Sequence, residues 1–272
     1  MISFTKMQGA GNDYIYVDNR ENIVKDPAAL SRKISDRHFG VGSDGLVLIC
    51  KSETADVRMR MFNPDGSESE MCGNASRCVA RYAWERFFKK SRDEFDLETG
   101  AGIKHVVIHK KGENFLSATI DMGEPILDPK QIPVCGETNR ISLDGRDFTC
   151  VSMGNPHAVT FVESVKTAPV HTKGPAYETS PVFPRKANIE FVEVLSKRHA
   201  KMRVWERGTG ETLACGTGSC ATLVACVLCK KTDREIDLEL LGGTLHLEWR
   251  ADNSHVMMTG PAEFVFEGTF EE

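Results

Sequence analysis

The sequence predicts an α+β fold of two pseudo-symmetric halves. Each half is a set of mostly antiparallel strands wrapped around a central helix, and the active site is expected in the cleft between them. Three observations lead there. The stretch Met71-Cys72-Gly73-Asn74-Ala75-Ser76-Arg77-Cys78 has an echo in Ala214-Cys215-Gly216-Thr217-Gly218-Ser219-Cys220-Ala221, the first cysteines standing 143 positions apart (215 − 72). The same offset carries Gly11-Asn12 onto Gly154-Asn155, Met59-Arg60 onto Met202-Arg203, Glu68 onto Glu211 and Ser76 onto Ser219. The run after Cys215 is apolar on nearly every side, with Ala221, Leu223, Val224, Ala225, Cys226, Val227 and Leu228. A helix apolar all round is buried all round, and one this short is enclosed by strands rather than by lipid.

In chain order, Ile2-Ser3-Phe4 alternates as a short strand, and Gln8 to Asp13 is a glycine-bearing loop that presents the Asn12 amide. Tyr14 to Val17 is strand-like. Asp26-Pro27 caps a helix running to about Arg37. Gly40 to Gly45 is a second glycine-rich loop before a buried strand, Leu46 to Cys50, then a strand at Val57 to Phe62 and a turn at Asn63-Pro64-Asp65-Gly66. Val79, Tyr82, Ala83 and Phe87 repeat at helical spacing after Cys72, and Lys89-Lys90 suits the helix end. Strands follow at Phe95–Leu97, Ile103–Ile108 and Phe115–Ile120.

The second half repeats the order: a loop at Ser152 to His157, strands at Ala158–Val162, Asn188–Val194 and Lys201–Glu206, then a helix headed by Cys215 and ending near Lys230-Lys231. The boundary is expected in the proline- and glycine-bearing stretch Met122 to Pro133. That divides the chain into 1–121, rejoined by a last strand within 263–272 near Phe264 to Phe266, and 122–262.

Composition narrows the function classes. The chain has 272 residues, 40% hydrophobic, enough for a core in each half. A net charge of −5 without a basic stripe argues against nucleic acid as a partner. No apolar run nears the roughly 20 residues of a membrane helix. Nine cysteines and an N-terminus without a signal layout point to reduced thiols in the cytoplasm rather than a disulfide framework.

A cysteine at a helix start has its thiolate stabilised by free amides and the helix dipole. The same amides can hold a carboxylate, and Gly73 and Gly216 leave the backbone open to a ligand. Cys50, Cys135, Cys150, Cys226 and Cys229 read instead as buried space-fillers. Two thiols on one carbon suggest inversion of a stereocentre: a thiolate removes a proton from one face and a thiol returns one to the other. The α-proton of an amino acid is very weakly acidic, so water must be excluded and the carbanion's carboxylate held by fixed dipoles.

Met71-Cys72-Gly73-Asn74, Phe62-Asn63-Pro64-Asp65-Gly66, Gly154-Asn155-Pro156-His157, Glu206-Arg207-Gly208 and Ala214-Cys215-Gly216-Thr217-Gly218 together resemble diaminopimelate epimerase, over nearly the whole chain from Gln8 to Ala262. The resemblance implies a cofactor-independent, metal-free isomerase converting LL- to meso-diaminopimelate for lysine and cell-wall synthesis. It implies Cys72 and Cys215 as acid and base, and a homodimer. By motif, Asn63, Asn155, Asn188 and Arg207 hold the non-reacting end of the substrate, and Asn12 and Glu206 lie beside the reacting end. The amides of Gly73-Asn74 and Gly216-Thr217 meet its carboxylate, and His157 and Glu206 tune the thiols. An arginine fork suits a carboxylate, and asparagines offer both donor and acceptor to a zwitterion. Taken singly, each has a plainer reading: Asn12 and Asn155 as turn formers, His157 as structural, Arg207 as a solvated charge.

Two positions depart from the family pattern. Ala75 replaces a glycine that Gly218 keeps in the second copy, and tighter packing is expected there. Gly45 replaces a substrate-contacting glutamine of some members, losing that side-chain contact. A related racemase of proline or hydroxyproline is the competing enzyme, disfavoured because Arg207 and three asparagines suit a second zwitterionic end. A zinc or redox protein built on Cys226-x-x-Cys229 is weaker, since a structural zinc wants four ligands.

Overall fold

A computed structural model describes residues 1–271. The chain forms two compact units, one of Met1–Ile120 with the segment from Gly260 onward, the other of Asp121–Thr259.

In the first unit the strand Ile2–Gly9 turns through Ala10-Gly11 into Asn12–Asp18, pairing Gly9 with Asn12. The two strands therefore take in Gln8, Gly9, Asn12 and Asp13, where the glycine content predicts a loop. Only the two residues with positive φ, Ala10 (54°) and Gly11 (81°), make the turn. Asn12–Asp18 pairs in parallel with Leu46–Cys50, whose five residues are all buried. A strand buried throughout is covered on both faces. Helix α1 (Pro27–Ile34) covers one, its Leu30 and Ile34 packing with Ile15, Val17, Leu46, Leu48 and Phe62. Helix α2 (Gly73–Tyr82) lies against the first two strands, with Cys78 beside Tyr16. The final strand Glu263–Phe270 lies antiparallel to Ile2–Gly9, from Ile2 opposite Phe270 to Gln8 opposite Glu263.

Two helices end earlier than the apolar spacing predicts. Helix α1 stops at Ile34, because Ser35 closes it and the following loop folds back, Val41 and Gly42 both donating to Ile34 O. Helix α2 gives way to a wider turn at Ala83–Phe87 that keeps Trp84 buried, and Lys89 and Lys90 sit at positive φ outside any helix.

The second unit repeats the wiring residue for residue. Ile15 pairs in parallel with Leu46, and Ala158 with Ile189; Leu46 pairs antiparallel with Phe62, and Ile189 with Trp205. Every member is displaced by the same 143. Helix α3 (Val170–Glu178) has no counterpart in the sequence reading: Pro169 caps it and Pro175 lies inside it, so proline masked the signal. Gly174 lets α3 sit flush on Trp205, where an added Cβ would be 2.7 Å from the indole. Helix α4 (Gly216–Leu228) is buried along Gly218–Cys226, as its all-apolar surface requires, and ends two residues short of Lys230. All nine cysteines are free. Cys50, Cys150 and Cys226 are buried space-fillers, but Cys135 is exposed and Cys229 half-buried, because both lie outside strands and helices.

Candidate active site

Cys72 and Cys215 occupy the same structural position, the extended residue that caps a helix. Their backbone angles nearly coincide: φ −135°, ψ 122° for Cys72 and φ −124°, ψ 112° for Cys215. Each is pinned by a serine four residues on, since Ser76 and Ser219 both return hydroxyl and amide hydrogen bonds to the cysteine carbonyl. Caps are ordinarily Ser, Thr, Asp or Asn, so two cysteines there mark a demand for sulfur.

The sulfurs are treated differently. Cys215 Sγ accepts from the Gly218 amide at 3.4 Å and lies 3.6 Å from Thr217 Oγ1. Burial, and then the charges of Glu206 and Glu190, push its thiol well above the ordinary range, so it rests protonated. Cys72 takes no such cap bond; its thiol donates to Asn12 Oδ1 at 3.3 Å. The Asn12 amide is in turn oriented by Asp44, whose Oδ2 accepts from Nδ2 at 2.7 Å. Arg37 ties Asp44 and Asp13 together at 2.8 and 3.0 Å, and Lys6 meets Asp13 at 2.6 Å.

In the second unit Asn155 and His157 adjoin. His157 is fully buried, with Nε2 3.0 Å from Asn155 Oδ1 and Nδ1 2.6 Å from Glu190 Oε1. Gly218 makes room for that glutamate, because a Cβ there would lie 2.7 Å from Glu190 Oε1 and 3.2 Å from Cys215 Sγ. Asn188 spends both ends of its amide on the protein, Nδ2 to Pro156 O and Oδ1 from the Arg207 amide, each at 2.9 Å. Glu178 of α3 accepts from the Gly208 amide at 3.0 Å and from Trp205 Nε1 at 2.8 Å. Thus the Arg207 backbone is fixed on both sides while its side chain is exposed, Nη1 meeting Arg185 O at 3.1 Å. Thr212 donates to Glu206 Oε1. Asn63 forms its predicted turn, with Nδ2 on Ser67 Oγ at 2.9 Å.

Within the second unit the structure thus joins Asn155 to His157, Asn188 to Arg207, and Glu206 to the surroundings of Cys215; within the first it joins Asn12 to Cys72. Asn74 is buried at the start of α2, its Oδ1 accepting from Arg77 Nη2 at 2.8 Å. Gly73 and Gly216 open their helices as predicted. A surface cavity of about 740 Å³, lined by Arg140, Arg146, Phe148 and Thr149 among others, holds none of these residues. Asp44, Glu178 and Glu190 are supporting residues absent from the sequence reading. Glu190 had a visible signal: a carboxylate flanked by Ile189 and Phe191 in a largely apolar strand.

The model of the family described as diaminopimelate epimerase matches residues 4–127 and 149–265. The chain is 53% identical to the diaminopimelate epimerase of Acetivibrio thermocellus over 98% of each chain, and 50% identical to that of Desulfovibrio desulfuricans over 99% of this chain and 98% of that one. The chain belongs to the diaminopimelate epimerase family. Solved structures with the same fold include a hydroxyproline epimerase from Agrobacterium vitis (TM-score 0.70, 14% identical, 98% of this chain and 90% of that one). A phenazine biosynthesis protein of the PhzF family from Bacillus anthracis is similar to the same degree (TM-score 0.70, 19% identical, 98% of both). At such identities the likeness is one of fold. Within the diaminopimelate epimerase family, Gly45 of this chain adopts φ +151°, and an added Cβ would lie 2.3 Å from Phe62 O. No side chain could stand there on this backbone.

Proposed function

We propose that the chain epimerises diaminopimelate between its LL and meso forms, with Cys72 and Cys215 as the two acid–base groups at one α-carbon. The observation that carries the reading is the duplicated cap: two cysteines, matched in backbone angles and in serine pins, heading helices of two register-matched units. One sulfur, as thiolate, takes the α-proton; the other, as thiol, delivers a proton to the opposite face. Burial holds Cys215 protonated, the state in which it can deliver a proton. The amides opening α2 and α4, at Gly73-Asn74 and Gly216-Thr217, receive the carboxylate on which carbanion charge develops. Asn12 and Glu206 flank the reacting end, and Asn63, Asn155, Asn188 and Arg207 hold the distal end. In this reading Asn188 acts chiefly by fixing the Arg207 backbone, to which its Oδ1 is bonded. His157 and Glu206 set the proton affinity of the thiols. The enzyme uses no cofactor, works in the cytoplasm where its thiols stay reduced, and functions as a homodimer.

The test is turnover of LL-diaminopimelate by purified protein in deuterium oxide without added cofactor. Deuterium should appear in the meso product at the inverted carbon, while substrate recovered early stays protiated, because the returning proton comes from the other, solvent-exchanged thiol. Equal early labelling of both isomers would mean a single base. Cys72→Ala and Cys215→Ala should each abolish turnover with the circular dichroism spectrum unchanged. Racemisation of proline in place of diaminopimelate would move the chain to another substrate class.

A further inference from the structure

Asn12 and Asn155 are equivalent under the 143-residue repeat, yet their amides are held in opposite senses. Asp44, an acceptor, takes the Asn12 NH2 at 2.7 Å, which leaves Asn12 Oδ1 facing outward to accept from the Cys72 thiol. At Asn155 it is Oδ1 that is engaged, 3.0 Å from His157 Nε2. An amide oxygen only accepts, so Nε2 must carry a proton. The other ring nitrogen, Nδ1, stands 2.6 Å from Glu190 Oε1, close enough for a charge-assisted hydrogen bond. His157 and Glu190 are both fully buried, and Glu190 Oε2 accepts no hydrogen bond from the described residues. With Nε2–H committed to Asn155, one further proton lies between Nδ1 and Oε1. The pair is then neutral as a whole, which is how a buried carboxylate with an unsatisfied oxygen avoids the cost of an isolated charge.

We propose that Glu190 is a positioning residue that acts through His157 to hold the Asn155 amide with its NH2 turned toward a substrate carboxylate, the reverse of the orientation Asp44 gives Asn12. Without the carboxylate, a buried imidazole keeps one ring proton, and nothing requires that proton to sit on Nε2. The amide of Asn155 can then turn and offer oxygen where a donor is needed. Gly218 belongs to the same device: a Cβ there would meet Glu190 Oε1 at 2.7 Å, so the glycine lets the glutamate reach the histidine. The repeat explains why the first unit does without it. The position matching Glu190 is Val47 and the position matching His157 is Tyr14 (190 − 143 and 157 − 143), while the position matching Gly218 is Ala75 (218 − 143).

The proposal rests on the reading of Asn155 as a substrate ligand, so the experiment separates the two. Nitrogen-15 spectra of the His157 ring in the unmodified enzyme should show Nε2 protonated, and in Glu190→Gln the ring proton should no longer be confined to Nε2. Kinetically, Glu190→Gln should lower kcat/KM for LL-diaminopimelate by about tenfold, mostly through KM, the loss of roughly one charge-assisted hydrogen bond. In an Asn155→Ala background the same change should cost less than about twofold, because the residue it acts through is gone. Asn155→Ala with unchanged KM would remove Asn155 from the substrate site whatever the spectra show. A wild-type ring with a bare Nε2, or losses from Glu190→Gln and Asn155→Ala that multiply, would overturn the positioning role. The wild-type spectrum needs no variant and decides the amide's orientation even if Glu190→Gln folds poorly.

Discussion

At the scale of the residue, single atoms decide what this chain tolerates. Gly45 is held at φ +151° with the Phe62 carbonyl 2.3 Å from any Cβ. Restoring a side chain by Gly45→Gln therefore should not restore a substrate contact; it should destabilise the protein by at least 1–3 kcal/mol, on the order of the cost of a forbidden backbone conformation, as read by urea titration. Gly218 and Ala75 fill the third position of equivalent helices, and the same exchange should act differently at each. Gly218→Ala drives a methyl group into Glu190 and should reduce kcat/KM by about tenfold, through displacement of the glutamate rather than loss of fold. Ala75→Gly adds only backbone freedom and should lower stability by roughly 0.5–1 kcal/mol. A melting curve and a rate measurement on the two variants separate the cases; a silent Gly218→Ala would mean Glu190 moves aside at no cost.

At the scale of the element, the two units repeat not only strands but an ion pair between them. Arg60 grips Glu68 through Nε and Nη2 at 2.7 and 2.9 Å, and Arg203 grips Glu211 likewise at 2.6 and 3.0 Å. Both pairs clasp a strand to the short strand that follows it. The side chains of the first pair are 35% and 47% exposed, those of the second 17% and 13%. Truncating Arg60 to alanine should cost under about 1 kcal/mol, as exposed pairs do. Truncating Arg203 leaves a mostly buried carboxylate with only His171 beside it and should cost on the order of 1.5–3 kcal/mol.

The more buried pair also has a sign in pH. Burial raises the Glu211 carboxyl, but Arg203 and His171 outweigh it and hold the group below the usual carboxylate range. A carboxylate depressed on folding stabilises the protein above its unfolded pKa, about 4.3, and that contribution disappears as pH falls through the lower folded value. Glu211→Gln should therefore flatten the acid side of the stability profile, measured as urea midpoints between pH 3 and pH 6. An unchanged slope there would mean the pair contributes nothing to acid stability.

Much at this scale was legible beforehand, for a definite reason. The 143-residue offset found Cys72 with Cys215, Asn12 with Asn155, and the residues of the later clasp, Arg60 with Arg203 and Glu68 with Glu211, because both copies kept them. It could not find Asp44 or Glu190, which orient Asn12 and Asn155, because the repeat partners of those carboxylates are Ala187 and Val47 (44 + 143 and 190 − 143). Helix α3 escaped because its prolines contradict helical propensity, while its burial against Trp205, set by tertiary packing, left no periodic trace. Helix ends were misplaced where a loop folds back on them, as Val41 and Gly42 do on Ile34 O.

At the scale of the whole molecule, the first unit is assembled from both ends of the chain. Its strand Ile2–Gly9 is paired along one edge by Glu263–Phe270, and the helix bearing Cys72 is tied to the same segment: Arg77 Nε donates to Pro261 O at 3.0 Å and Arg81 Nη1 to Ala262 O at 2.6 Å. Removing the residues from Gly260 onward should therefore strip amide-exchange protection from 1–120 and abolish turnover, while 121–259 keeps its protected strands and helix α4. Equal loss in both units would make the second dependent on the first. The arrangement has a consequence for synthesis on the ribosome. Residues 121–259 are contiguous and can close their hydrogen bonds as soon as they emerge, whereas residues 1–120 must wait, edge strand unpaired and α2 untethered, until the segment from Gly260 has been made and has left the ribosome. The unit whose codons are read first is completed last, and until then its open strand edge is the part of the nascent chain most in need of a chaperone.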